Sequence, residues 1–280
     1  MFSAIDLDSP HGNLVMPSRP SPASVLSFAG CVSAAFAPTL VLMGTIVGQQ
    51  PELVILMVGA AFIWLTTISL VAFVWWALVP ARSMLWLLVL YGGVMQELGR
   101  WATYALHARL LRGLRAIGLQ PTPSTRAAEA LIVPAAVASG LGAGVMQSLV
   151  MYGSVLGGAL LPGSLYAPGC AGLSVFAVDA LQCLAFQVLH VLLCLIGWTA
   201  AYPRRSRPLL AAIVALHLGA SATTLLNTVE DTGVGASGCA LALPCLFAVV
   251  AVAGALAAHI AITGLCMPRK PRASAPTADE

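Results

Sequence analysis

Apolar residues run along this chain in stretches of about twenty or more, separated by short polar breaks at 25–48, 53–79, 84–106, 127–161, 171–199, 208–228 and 239–265. A helix rising about 1.5 Å per residue needs roughly twenty apolar residues to cross a hydrocarbon layer of about 30 Å. None of the stretches alternates in and out as barrel strands do, and lipid admits only helices or closed barrels, because backbone groups there have no water to bind. The pattern predicts an all-α polytopic membrane protein, a bundle of seven transmembrane helices. It divides the chain into a polar N-terminal segment 1–24, a membrane domain 25–266 and a tail 267–280.

Composition agrees, with 59% hydrophobic and 8% charged residues, far from the balance of a water-soluble domain. The net charge of +3 reports topology more than any nucleic-acid partner, since no basic patch with interleaved aromatics is present. Arg109, Arg112, Arg115, Arg126, Arg204, Arg205, Arg207, Arg269, Lys270 and Arg272 all fall after spans three and five or in the tail. The opposite ends hold only Arg19 and Arg82. The positive-inside bias therefore places the N-terminus outside or lumenal and the C-terminus in the cytosol, in agreement with an odd number of spans. The first 24 residues do not read as a cleavable signal, so span one is expected to serve as the insertion signal.

Seven cysteines are scattered without metal-finger spacing, and neither a metal nor a cofactor is expected. Cys170 and Cys239 fall near the oxidising face, where a disulfide could join the fourth and sixth connections.

Polar groups inside the spans carry the candidate chemistry, because hydrocarbon penalises them unless they pair or face protein. In span four, Gly140, Gly144 and Ser148 recur every four residues and stack on one helical face, with Gln147 beside them. Such a flat stripe lets another helix approach closely, either a partner's or one within the bundle. Span five carries Asp179, Gln182, Cys183, Gln187, His190 and Cys194 at helical spacing, and span six carries His217, Ser221, Thr224 and, at its outer end, Asn227. His190 and His217 lie equally far on either side of the Arg204–Arg205 connection, so two antiparallel helices would bring them to similar depth. Asp179 is about 16 Å from His190 along the helix, too far to share a metal ion. Span three adds Gln96, Glu97 and Arg100; the last two are three apart and can pair, or Arg100 can snorkel to the headgroups and leave Glu97 protonated or bonded to a neighbour.

FAGCVSAAFAP (Phe28 to Pro38), GAAFIWL (Gly59 to Leu65) with VWW (Val74 to Trp76), QELGRWATY (Gln96 to Tyr104), SGLGAG (Ser139 to Gly144), the two helical histidines and TLLN (Thr224 to Asn227) occur in order across spans one to six. Together they resemble the anterior-pharynx-defective (Aph) subunit of gamma-secretase. The resemblance implies seven spans with a lumenal N-terminus and a cytosolic C-terminus. It also implies a non-catalytic scaffold of a four-subunit intramembrane protease in the Notch signalling pathway, assembled with nicastrin, presenilin and the presenilin enhancer subunit between endoplasmic reticulum, Golgi and plasma membrane. Carried over, the family's glycine motif falls on Gly140 and Gly144, with Ser148 at its third small position, and its two histidines fall on His190 and His217. These are expected to serve assembly, with Gln96, Glu97, Arg100, Gln187 and Asn227 as supporting polar groups. The longer N-terminal segment, the extended connection before span four and Pro134 mark a divergent member.

Three rival readings remain. FQVLH (Phe186 to His190), HLGAS (His217 to Ser221) and Gln96-Glu97 before Arg100 resemble a degenerate form of the type II CAAX prenyl protease motifs, in which a glutamate activates water and histidines stabilise an oxyanion. Gln96 stands where that motif has a second glutamate, which weakens the likeness. GASG (Gly235 to Gly238) mimics a rhomboid serine loop, but Ser237 and His259 are about 33 Å apart along one helix. A transporter would line a solute cavity with the polar stripes of spans five and six, yet the inverted repeats usual in transporters are not evident.

Overall fold

The computed structural model describes residues 22–79, 84–118, 125–160, 166, 169–170, 172–229 and 238–266. Segments 1–21 and 267–280, which include Arg19, Arg269, Lys270 and Arg272, lie outside the described residues, as do Arg82 and Ser237. Among the described residues the chain forms seven long helices: α1 (Pro22–Leu42), α2 (Pro51–Ala77), α3 (Leu85–Ala116), α4 (Thr125–Gly158), α5 (Val175–Ile196), α6 (Arg207–Thr223) and α7 (Gly238–Cys266). α1 continues through a π-helical turn, Met43–Val47, and α5 through another, Gly197–Ala201, into the short helix Tyr202–Arg204. α6 closes in a 3-10 turn, Thr224–Thr228. The one extended pairing described is an isolated bridge between Tyr166 and Ser174.

Six of these stretches are long and apolar enough to cross a membrane: Ser24–Val47, Pro51–Ala77, Leu131–Gly153, Val175–Arg204, Arg207–Thr228 and Gly238–Thr263. α3 is the difference from the seven expected. Its 32 residues suffice in length, but Gln96, Glu97 and Arg100 interrupt the apolar run and Arg109, Arg112 and Arg115 fill its last turns.

Helix boundaries follow local chemistry. Ser174 caps α5 by accepting a hydrogen bond from the Ala177 amide at 3.3 Å. α2 and α6 each begin with a proline in the first turn, where the missing N–H costs nothing. Between α5 and α6 the chain reverses through Arg205, whose φ of 50° is the left-handed conformation that closes the tight turn.

α4 and α5 form the centre, with 67% and 72% of their apolar windows buried, against 11% for α1 and 28% for α7. Leu141, Val191, Cys194 and Trp198 join α4 and α5 to Val47 and Leu53 in one core cluster. Phe186, Leu189 and Leu193 meet Ile213 of α6 and Leu246 of α7 in a second. Large side chains on α1 and α2 such as Leu26, Ile55, Phe62, Phe73 and Trp76 point outward, as lipid permits.

The close approach of α4 to its neighbours accounts for its glycines. A Cβ at Gly140 would lie 2.5 Å from the Val191 Cα and 3.0 Å from the His190 carbonyl oxygen. One at Gly144 would lie 2.9 Å from the Gln187 Cα, and one at Gly142 would collide with the Met57 carbonyl of α2. Each obstacle is backbone, which cannot swing aside. The stripe of Gly140, Gly144 and Ser148 thus faces α5 within the same chain.

At the other end of α5, Cys170 and Cys239 form a disulfide with a Cα–Cα distance of 5.3 Å. It links the connection before α5 to the start of α7, where the Cys239 amide also donates to the Gly169 carbonyl at 2.9 Å.

Gly140→Ala is expected to destabilise the purified chain by about 1–3 kcal/mol, since the added carbon has only backbone to displace. Gly153→Ala, on the same helix with nothing within 4 Å, should be neutral or stabilising. Thermal unfolding in detergent compares the two; equal midpoints would remove the close-approach explanation. Cys170→Ser should lower stability by up to about 4 kcal/mol on chain-entropy grounds. A gel-mobility shift on reduction of the wild-type chain after a proteolytic cut between the two cysteines, absent in Cys170→Ser, checks the linkage.

Candidate functional site

The polar residues of α3, α5 and α6 meet in the interior. Glu97 and Arg100 lie one helical turn apart on α3, and the guanidinium grips the carboxylate with two nitrogens: Nε to Oε2 at 3.0 Å and Nη2 to Oε1 at 3.0 Å. His217 of α6 binds the same carboxylate through Nδ1, 2.5 Å from Oε1. From α5, His190 offers Nδ1 to the Arg100 Nη2 at 3.0 Å, while Arg100 Nη1 donates to the His190 carbonyl and the Cys194 sulfur, each at 3.2 Å. One ion pair on α3 therefore ties three helices together.

Arg100 is 1% exposed, so it does not snorkel to the headgroups. Its cost in an apolar interior is offset by saturation: the fork of donors reaches a carboxylate, a carbonyl, a sulfur and an imidazole nitrogen. Because an arginine can only donate, His190 Nδ1 is the acceptor and the ring proton sits on Nε2. That Nε2 is buried without a hydrogen-bond partner. The ring instead packs edge-on against Trp64 of α2, centroids 4.7 Å apart, and against His217 at 5.2 Å. Trp64 also lies 5.4 Å from the Arg100 guanidinium carbon, a cation–π contact, and its Nε1 donates to Gln147 of α4 at 2.9 Å.

A second polar clasp sits beside the first. Gln187 of α5 donates through Nε2 to Ser148 of α4 at 3.1 Å and to the Ala35 carbonyl of α1 at 3.3 Å. Its Oε1 accepts from the Thr39 hydroxyl. α1, the least buried spanning helix, is thereby hydrogen-bonded to α4 and α5 through one glutamine, beside the packing of Ala35 against Leu156, Ala180 and Cys183.

The structure thus gathers Glu97, Arg100, His190 and His217 into one cluster and places Gln187 and Ser148 in its neighbour. Gly140 and Gly144 provide the close approach that brings α5 to both. Gln96 is half-buried and is not among the hydrogen-bonded members. Asn227 lies apart, in the 3-10 turn after α6, close to Gly169 and the disulfide end, with its Oδ1 buried and unpartnered. Sequence reasoning did not single out Trp64 or Thr39. Trp64 stood inside a quoted motif but looked like one more apolar aromatic; Thr39 gave no signal, since a threonine in a helix can bond its own backbone four residues back.

Chemically, the cluster is an interhelical linkage in which the charged groups pair with one another and the His190 Nε2 is left over. Both Glu97 oxygens are held by Arg100 and His217, which leaves little capacity for the general base of the prenyl-protease comparison. The polar residues Gln187, His190 and Cys194 of α5 are taken up by α1, α3 and α4 as well as by His217 of α6. An apolar groove of about 360 Å³ between α2 and α3, lined by Phe62, Thr66, Met95 and Leu98 among others, contains none of the cluster residues.

Glu97→Gln and Arg100→Met should each destabilise by about 3–5 kcal/mol, because each strands a buried charge, and the double variant should cost clearly less than the sum. Denaturant titration of the purified chain reads this out; additive losses would mean the two side chains do not act as a pair.

Comparison with known proteins agrees with the resemblance carried by the sequence motifs. The family model for the Aph-1 protein matches residues 26–262, which include every member of both polar clusters. The Drosophila melanogaster protein named gamma-secretase subunit Aph-1 is 30% identical over 203 residues, covering 72% of this chain and 82% of that protein. A mouse gamma-secretase subunit APH-1B is 30% identical over 211 residues, covering 71% and 78%. The Arabidopsis thaliana gamma-secretase subunit APH1-like is 24% identical over 228 residues, covering 80% and 88%. On the extent of the family match and the relatives together, the chain belongs to the Aph-1 family.

Proposed function

We propose that this chain is a non-catalytic scaffold subunit of a gamma-secretase intramembrane protease, assembling with presenilin, nicastrin and the presenilin enhancer subunit and supporting presenilin-dependent cleavage of membrane proteins. The relatives named as gamma-secretase subunits support the complex. The observation that carries the scaffold role is the mutual pairing of Glu97, Arg100, His190 and His217, in which both Glu97 oxygens are taken by Arg100 and His217 within the bundle. A group used in this way holds helices in register and is poorly placed to attack a substrate.

In this reading Gly140, Gly144, Ser148, His190 and His217 serve assembly by fixing the mutual positions of α3, α4, α5 and α6, with Gln187 doing the same for α1. Apolar faces left open on α1 and α2 are available to lipid and partner helices. α3 is a seventh crossing, tolerated in lipid because its charges are paired inside the protein. The N-terminus is lumenal, residues 25–266 form the membrane domain and residues 267–280 a cytosolic tail, in a protein travelling from endoplasmic reticulum and Golgi to the plasma membrane. The disulfide before α5 and Arg204 at its far end support this orientation: they mark opposite ends of one 30-residue spanning stretch, oxidising at one and positive at the other.

Affinity purification of the tagged chain from its native membranes in mild detergent, followed by mass spectrometry, should recover a presenilin and a nicastrin in near-equal amounts. Recovery of the chain alone, under conditions that preserve other membrane complexes, would overturn the subunit reading. The variant His190→Ala/His217→Ala should recover less of both partners; unchanged recovery would limit the histidines to packing.

A further inference from the structure

α3 and α5 run parallel and in register. Arg100 meets Cys194, and one turn later Tyr104 packs against Trp198 and Tyr202 at ring distances of 5.5 and 5.1 Å. His107 follows, 5.2 Å from Trp198. The spanning stretch of α5 ends at Arg204, and the register of Tyr104 with Trp198 and Tyr202 brings Arg109 about level with that end, so the last two turns of α3 project beyond it. Arg109 and Arg112 stand about 7 and 12 Å further along the axis than Tyr104, at the height of the headgroups.

This projecting part of α3 is two-faced. Leu106, Leu110 and Ile117 fall within about 40° of one another around the helix, and they are 59%, 58% and 68% exposed. Arg109, Arg112 and Arg115 run round the other side, from about 60° to about 180° away from Leu106, all exposed. At the corresponding end of α5, Arg204, Arg205 and Arg207 surround the left-handed turn into α6, also exposed. None of the six forms an ion pair among the described residues, whose salt bridges are confined to Glu97.

We propose that this end of the bundle is a docking surface for anionic phospholipid headgroups, with the six arginines binding phosphate and carboxylate groups while Leu106, Leu110 and Ile117 rest on the acyl boundary. Charge complementarity selects the occupant. Guanidinium forks match phosphate oxygens two at a time, and juxtamembrane clusters of four to eight basic residues attract anionic lipid. A soluble acidic protein would satisfy the arginines but leave the leucine stripe at the membrane boundary without a purpose. A zwitterionic lipid would satisfy the leucines but gain little from the charge. The inference rests on the membrane-spanning reading of the helices and is independent of whether the chain joins a protease complex.

Native mass spectrometry of the purified full chain in detergent, with equimolar phosphatidylserine and phosphatidylcholine added, tests the surface without any mutation. Phosphatidylserine adducts should exceed phosphatidylcholine adducts by about tenfold at low salt and lose most of that excess at high salt. Equal adducts at low salt overturn the proposal. Displacement of phosphatidylserine by millimolar inorganic phosphate would also overturn it, because the site would then hold a free anion. Arg109→Gln/Arg112→Gln/Arg115→Gln should bring the ratio towards unity, and Leu106→Ser/Leu110→Ser should weaken retention of both lipids. An unchanged ratio in a folded arginine variant would move the preference to another part of the chain and overturn the assignment.

Discussion

An ion pair placed in the middle of an apolar bundle constrains everything around it. Glu97 and Arg100 are both buried, and either one alone would cost several kcal/mol in such surroundings. The pair is tolerable because α5 and α6 complete it: His217 takes one carboxylate oxygen, and His190 with the Cys194 sulfur takes what the guanidinium has left. Register between three helices follows directly. A shift of one turn in α5 would remove His190 and Cys194 from Arg100 and leave donors bare where no water can reach them.

Close approach and polar linkage depend on each other. α5 can lie this close to α4 only because Gly140 and Gly144 let its backbone lie where side chains would otherwise stand. The Trp64 indole then spans from α2 to Gln147 on α4 while its ring backs His190 and the guanidinium. α1 is attached differently. Its face is largely open to lipid, which supplies no hydrophobic drive for helix association, and the Gln187 clasp to Thr39 and the Ala35 carbonyl provides the directional contact that burial does not.

The two ends of the bundle differ in chemistry for reasons that need no shared side chain. At one end a disulfide and the tight packing of Gly169 and Gly238 against the turn after α6 draw the connections together. At the other end six exposed arginines crowd the ends of α3 and α5 without internal acidic partners among the described residues. Packing and covalent linkage dominate the first surface and charge the second, so substitutions at the two ends act through different physics.

Much of this was legible in the residues themselves. Runs of some twenty apolar positions fix the helical class, because lipid leaves the backbone no other option. The three-residue spacing of Glu97 and Arg100 announces their pairing, and the symmetric placement of His190 and His217 about the Arg204–Arg205 turn announces their meeting. What the sequence left open was every choice between partners. Arg100 could snorkel or turn inward, and the glycine stripe of α4 could face another subunit or α5; the count of apolar spans depended on how the polar residues of α3 were treated. Trp64 and Thr39 gave no sign that they would hold the cluster and the clasp. Periodicity along one chain sets which residues share a helical face, whereas which face meets which is decided by the simultaneous packing of all the helices, and only the tertiary structure contains that.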